Sequence, residues 1–211
     1  MEHRNGAGEV NGMMVEQFVM AYEAEQDRLR ALLPEGFISL RPVLRINAEI
    51  RRGEGAYLEL NTPVEAFGKR GWLNIHHWSD REDGLAYQRS GSSVTFLLPF
   101  LTITYTGNGL EGGCPAEKDN DGCYFLTPMP TMRPAEQISA NKAYCECEFA
   151  WRFAENDAHG VSTGITIPAF PTEPKVQYEK QELTPQNAAA IPCERVLGAY
   201  KVIFERAMEE K

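Results

Sequence analysis

Three separated stretches of this chain repeat with a period of two. In "PVLRINAEIRR", Leu44, Ile46, Ala48 and Ile50 fall on one side, and Arg45, Asn47, Glu49 and Arg51 on the other. In "AYLELNT", Leu58 and Leu60 oppose Tyr57, Glu59 and Asn61. In "KAYCECEFAWRF", Cys145, Cys147, Phe149, Trp151 and Phe153 oppose Tyr144, Glu146, Glu148 and Arg152. Successive side chains of an extended backbone point to opposite faces, so this alternation demands strands with one apolar face. A chain with three such segments has to be built around a sheet.

The most apolar stretch, "GLAYQRSGSSVTFLLPFLTITYTGNG" at 84–109, fits the same plan. It predicts one long strand over 92–106, apolar on both faces in its first half and alternating in its second. Pro99 cannot donate to a ladder, so it should mark a bulge or an unpaired edge position. The stretch is no membrane span, because Thr95, Pro99, Thr102, Thr104 and Thr106 interrupt it well short of the ~18 apolar residues a helix needs. Further strands are predicted near 71–79, 123–126, 160–167 and 195–204. One helix is predicted over 23–33, "EAEQDRLRALL", with Leu29, Leu32 and Leu33 on one face and Pro34-Glu35-Gly36 as its stop. Many strands with turn signals between them, and few helices, imply a mainly β, antiparallel sandwich or barrel.

At 211 residues and 43% hydrophobic content the chain suits one domain, 1–211, with a sizeable core. Its formal charge of −9 argues against nucleic acid or an anionic membrane surface as partner, while leaving room for a small anion in a locally positive pocket. The N-terminal residues show no signal-peptide pattern, and the five cysteines are read as reduced thiols in a cytoplasm.

The segment "GGCPAEKDNDGC" carries the spacing of two metal sites in part only. As a calcium loop it would put Pro128 where a bidentate Glu is required. As a zinc site it lacks the short cysteine pair. A polar turn accounts for it, and neither metal nor cofactor is expected. Cys145 and Cys147 share a face with aromatic residues and read as small core hydrophobes. In "WLNIHHWS", His76 and His77 fall on opposite strand faces, so without a bulge they cannot share a metal. One of them should face inward; a surface or satisfied interior histidine is the first reading, and a hydrogen-bonding group in a pocket the alternative. Glu59 reads first as a solvent-facing carboxylate, unless closure of the sheet turns its face into a cavity lining. Arg89 reads as a turn residue or an anion clamp.

The order of these features resembles the acetoacetate decarboxylase superfamily. "YEAEQDRLRALLPEGF" looks like its opening helix, "PVLRINAEIRR" and "GEGAYLELNTPVEAFGKRGWLNI" like its next strands, and "AIPCERVLGAYKVIF" like its closing strand. The resemblance implies an antiparallel, cone-like β-barrel with an internal cavity and few peripheral helices. It also implies self-association into homo-oligomers. The family's chemistry uses a lysine that forms a Schiff base with a β-keto acid, kept reactive by a cationic neighbour and desolvation. That lysine sits in a G-R-E-x-x-G-x-P-K-K motif. Here Arg89 falls at the motif's Arg, Ser90 replaces its Glu, and Thr95, Phe96 and Leu97 stand where Pro-Lys-Lys would be. No lysine lies between Lys69 and Lys118. The family's upstream Arg would fall near Val15, and no Arg lies between Arg4 and Arg28. Only Glu59 matches the family's catalytic set.

Three functions stand open on these residues. The first is a divergent relative that binds a small keto, hydroxy or aromatic acid without Schiff-base chemistry, through Glu59, Arg89, Tyr57, Trp72, His76, His77 and Phe96. The second is an enzyme of altered chemistry, with Glu59 as acid or base or with a relocated lysine such as Lys201 or Lys118. The third is a structural or assembly role.

Overall fold

The structure, a computed structural model, describes residues 12–111, 123–126, 131–134, 143–144, 146–151, 159–162, 164–165 and 173–207. In chain order the elements are β1 (Gly12–Ala24), α1 (Gln26–Leu32), β2 (Ile38–Ser39), β3 (Val43–Arg51), β4 (Gly55–Ala66) and β5 (Lys69–Ser79). Then come β6 (Ala86–Ser90), β7 (Ser93–Leu98), β8 (Leu101–Thr106), β9 (Leu110–Glu111), β10 (Cys123–Leu126) and β11 (Thr131–Pro134). The last are β12 (Ala143–Tyr144), β13 (Glu146–Trp151), β14 (His159–Ser162), β15 (Gly164–Ile165), α2 (Pro185–Ala189) and β16 (Cys193–Ala207).

The strands form an eleven-stranded sheet in the order β11-β10-β5-β4-β3-β1-β16-β12, with β2, β9 and β15 alongside, and a five-stranded sheet β14-β13-β8-β7-β6. Pairing is antiparallel except for β10 on β5 and β9 on β16. The mainly β, antiparallel class read from the alternation is the class observed. Among the described residues, the two end strands of the large sheet do not pair with each other.

One face of the large sheet packs on the small sheet. Phe18, Met20, Leu44, Ile46, Leu58 and Leu60 meet Val94, Phe96, Ile103 and Tyr105 in one core. Phe18 stands at its centre, with ring centroids 5.3 Å from Phe96 and 5.2 Å from Tyr105.

Three local expectations change. The helix predicted from residue 23 begins at Gln26, because Glu23 and Ala24 are held in β1 by ladder pairs with β16, and Glu23 binds Arg195 at 2.7 Å. Strand β1 itself was not legible. It is the central strand, paired to β3 and β16 and buried on both faces over most of its length, so its sequence shows no alternation. The long strand over 92–106 is a hairpin. Strands β7 and β8 pair from Ser93 with Thr106 down to Leu98 with Leu101, and Pro99-Phe100 form the turn. Proline suits that place because its fixed φ presets a turn and its missing N–H is not needed there. The short helix α2 adds to the one helix predicted, and its signal is in the sequence. Thr184 accepts a hydrogen bond from the Asn187 N–H at 3.1 Å, and Pro185 opens the helix.

The segment "GGCPAEKDNDGC" lies outside the described residues except for the backbone of its last cysteine, and Lys118 and Cys145 lie outside them as well.

Candidate functional site

The polar faces of β3 and β4 are buried. Arg45, Asn47 and Glu49 on β3, and Glu59 and Asn61 on β4, are all less than a tenth exposed. The alternation is as read, but both faces of this sheet are covered, so the charged face is an interior one. Burying polar groups costs stability unless each is hydrogen-bonded, so such a face has to be networked.

Glu59 is the centre of that network. Its Oε1 accepts from Asn47 Nδ2 at 2.9 Å and from Asn61 Nδ2 at 3.0 Å, and its Oε2 accepts from the Tyr57 hydroxyl at 3.0 Å. Asn74 Nδ2 donates to Asn61 Oδ1 at 3.1 Å and to the His76 carbonyl at 3.2 Å. No described cation forms an ion pair with Glu59. Burial, the charge of Glu59 and the hydrogen bond to it together push the Tyr57 phenol well above its usual range. Tyr57 is therefore a donor to Glu59 and never a phenolate base.

Register explains how β5 contributes. Leu60 pairs with His76 and Asn61 with Asn74, so Ile75 is an extra residue in the ladder. This bulge puts Asn74 and His77 on the Glu59 face, although three positions separate them. Glu59 pairs directly with His77, which is exposed and stacks on Tyr57 at 5.7 Å. His76 lies half-buried on the other side against Trp78, ring centroids 4.8 Å apart. Burial first, then the neighbouring His77, lower the His76 pKa, against a smaller opposing effect of Asp83.

Two arginine groups flank Glu59 along the sheet. At one end the Arg45 guanidinium lies 3.7 Å from the ring centre of Trp72. At the other, Glu49 binds Arg206 through two contacts of 2.9 Å, Arg51 at 2.7 Å and Gln17 at 3.3 Å. The Arg51 guanidinium also covers the Tyr57 ring at 4.1 Å. Burial pushes the Glu49 carboxyl up, but the hydrogen bonds and charge of Arg206, then Arg51, more than offset this and hold it at about 2.

The structure therefore brings together Glu59, Tyr57, Trp72 and His77 of the residues read from sequence. It adds Arg45, Asn47 and Asn61, which the alternation had placed on a merely polar face, and Asn74, which the bulge in β5 brings to that face. His76, Arg89 and Phe96 are elsewhere. Phe96 is fully buried in the core beneath the opposite face. Arg89, on the exposed strand β6, forms an ion pair with Glu16. Lys201 is on that opposite face too, buried, with Nζ 3.1 Å from Glu16 and 5.0 Å from the Phe18 ring centre. Its stem lies where a side chain on Gly109 would have to go. Burial raises the Glu16 pKa, and the bonds and charges of Arg89 and Lys201 bring it below its ordinary value. Cys193 is no activated thiol, since burial pushes it up to about 11. Among the described residues no group of three or more His, Cys, Asp or Glu could hold a metal ion.

No family model matches the chain, and no curated protein does. Solved structures do. The acetoacetate decarboxylase of Legionella pneumophila subsp. pneumophila str. Philadelphia 1 matches at 13% identity over 95% of this chain and 88% of that one, with a TM-score of 0.48. The chain's structural neighbours are acetoacetate decarboxylases and acetoacetate decarboxylase-like enzymes. One such enzyme, from Sphingomonas wittichii RW1, matches at 12% identity over 95% of this chain and 93% of that one, TM-score 0.43. The enduracididine biosynthesis enzyme MppR, complexed with pyruvate, matches at 10% identity over 91% and 84%, TM-score 0.48. At these identities and TM-scores no residue role passes from those proteins to this chain.

Proposed function

We propose that the protein binds a small organic acid on the buried polar face around Glu59. The observation that carries this reading is a buried carboxylate held by three neutral donors, with no ion-pair partner among the described residues. A purely structural sheet face would be more stable with apolar residues there, so a networked anion in the interior favours a site over a scaffold. Arg45, backed by Trp72, is the cation on this face suited to the ligand's carboxylate. Arg89 has no part in it.

A second reading, acid–base catalysis, has the Glu59 carboxylate itself as the acid or base, held in place by the Tyr57 hydroxyl that donates to it at 3.0 Å. We include in the proposal a reducing, cytoplasmic setting, which suits the thiol of Cys193. Self-association belongs to it as well, supported by the fully exposed edge strand β6.

The test is calorimetric titration with small keto, hydroxy and aromatic acids on the native protein, Glu59→Gln and Arg45→Met. Saturable binding that either substitution weakens supports the site. If Glu59→Gln leaves affinity, turnover and fold unchanged, the site is not on this face.

A further inference from the structure

The hydrogen-bond polarity of the Glu59 network is fixed from one end. The His76 carbonyl can only accept, so the Asn74 amide nitrogen must face it. The same nitrogen donates to Asn61 Oδ1, which turns the Asn61 nitrogen toward Glu59 Oε1. Asn47 also presents its nitrogen to Oε1, because its oxygen there would oppose a carboxylate oxygen. Glu59 is thus an acceptor toward all three neighbours. A carboxylate offers about four acceptor positions, and these bonds fill three. Turned this way, Asn47 points Oδ1 elsewhere, and that buried oxygen receives no hydrogen bond among the described residues. Asn47 is itself only 7% exposed.

From this we infer that the ligand's group beside Glu59 is a hydrogen-bond donor, best an ammonium group, so that the site takes an amino acid or hydroxy acid in preference to the corresponding keto acid. The inference rests on the reading that an organic acid binds this face. An ammonium supplies several N–H donors to Glu59 Oε2 and Asn47 Oδ1, and a positive charge to a buried anion otherwise held by neutral groups. A hydroxyl supplies one donor. A ketone supplies none and would set its oxygen against two acceptors, leaving buried lone pairs unmet. Exposed His77, next to Glu59 in the same row, marks the side on which this face meets solvent.

Matched carbon skeletons separate the possibilities. Alanine, lactate and pyruvate, and likewise phenylalanine, 3-phenyllactate and phenylpyruvate, are titrated by calorimetry into the native protein and Glu59→Gln. The amino acid of each set should bind at least about tenfold more tightly than its keto acid, with the hydroxy acid between. Glu59→Gln, which keeps the shape but offers a donor of its own, should compress that ratio toward unity. Keto acids binding as well as their amino counterparts would overturn this inference while leaving the organic-acid site standing. An unchanged ratio in Glu59→Gln would overturn it as well. If no member of either set binds, both readings fall.

Discussion

Glu59 and Lys201 lie on opposite faces of the same sheet. Lys201 pairs with Phe18, Phe18 with Ala48, and Ala48 with Leu58, the neighbour of Glu59 in β4. No register shift intervenes between these positions. A lysine relocated to Lys201 therefore cannot join Glu59, and the amine is already committed to Glu16 at 3.1 Å. Borohydride reduction in the presence of acetoacetate or pyruvate should leave Lys201 unmodified, as mapped by peptide mass spectrometry. Lys201→Met should keep organic-acid affinity within about twofold, the usual reach of a site with no shared partners. Loss of binding in that variant would mean the two faces communicate.

Tyr57→Phe removes one donor from Glu59 while keeping the ring under Arg51 and beside His77. A hydrogen bond to a buried carboxylate should be worth about 1.5–3 kcal/mol here. Urea unfolding should show that loss, and a cycle with Glu59→Gln should return most of it as coupling. A neutral result would mean the hydroxyl finds solvent instead.

The Glu49 clamp ties the last strand to β3 and should govern acid stability. Its carboxyl is held at about 2 when folded, against 4.5 as its ordinary value. A depressed folded pKa stabilises above the unfolded value, and the gain disappears as pH falls through the folded one. The clamp is thus fully effective above pH 4.5 and lost progressively toward pH 2. The shift corresponds to about 3 kcal/mol at neutral pH. Glu49→Gln should flatten that acid limb in denaturant titrations. It should also cost a few kcal/mol at pH 7, about what breaking a buried ion pair costs, because Arg206 and Arg51 lose their partner.

Residues 173–184 run without regular structure, mostly exposed, yet are pinned to α1. Asp27 Oδ2 accepts the N–H groups of Lys175 and Val176 at 2.8 and 2.9 Å. The Tyr178 hydroxyl donates to Glu25 at 2.6 Å, and Gln181 N–H donates to the Ala31 carbonyl at 3.0 Å. Those two backbone donors, ahead of Arg30, hold the Asp27 carboxyl below its usual range, although burial opposes them. Asp27→Ala should leave the global fold intact and speed tryptic cleavage after Lys175 and Lys180 several-fold. The native strap should loosen in the same way as pH falls through the lowered Asp27 pKa. Equal cleavage rates would show that the side-chain anchor is dispensable.

Much of this protein is determined by its sequence alone. Period-two alternation locates β3 and β4, and it states which residues share a face: Arg45 with Asn47 and Glu49, Tyr57 with Glu59 and Asn61. The strands predicted near 71–79 and 195–204 cover most of β5 and β16. Turn and cap chemistry is also present in the sequence, at Pro99 between β7 and β8 and at Thr184-Pro185 before α2. Alternation cannot say what lies beyond either face. That Glu59 is buried rather than solvated depends on covering by other parts of the fold. That β1 is a strand at all depends on partners on both sides, since a segment apolar on both faces carries no period. The union of Asn74 and His77 on one face depends on the Ile75 bulge, where a single unpaired residue reverses the parity of all that follows. Those are long-range facts of pairing and packing, and they alone separate Glu59 from Lys201.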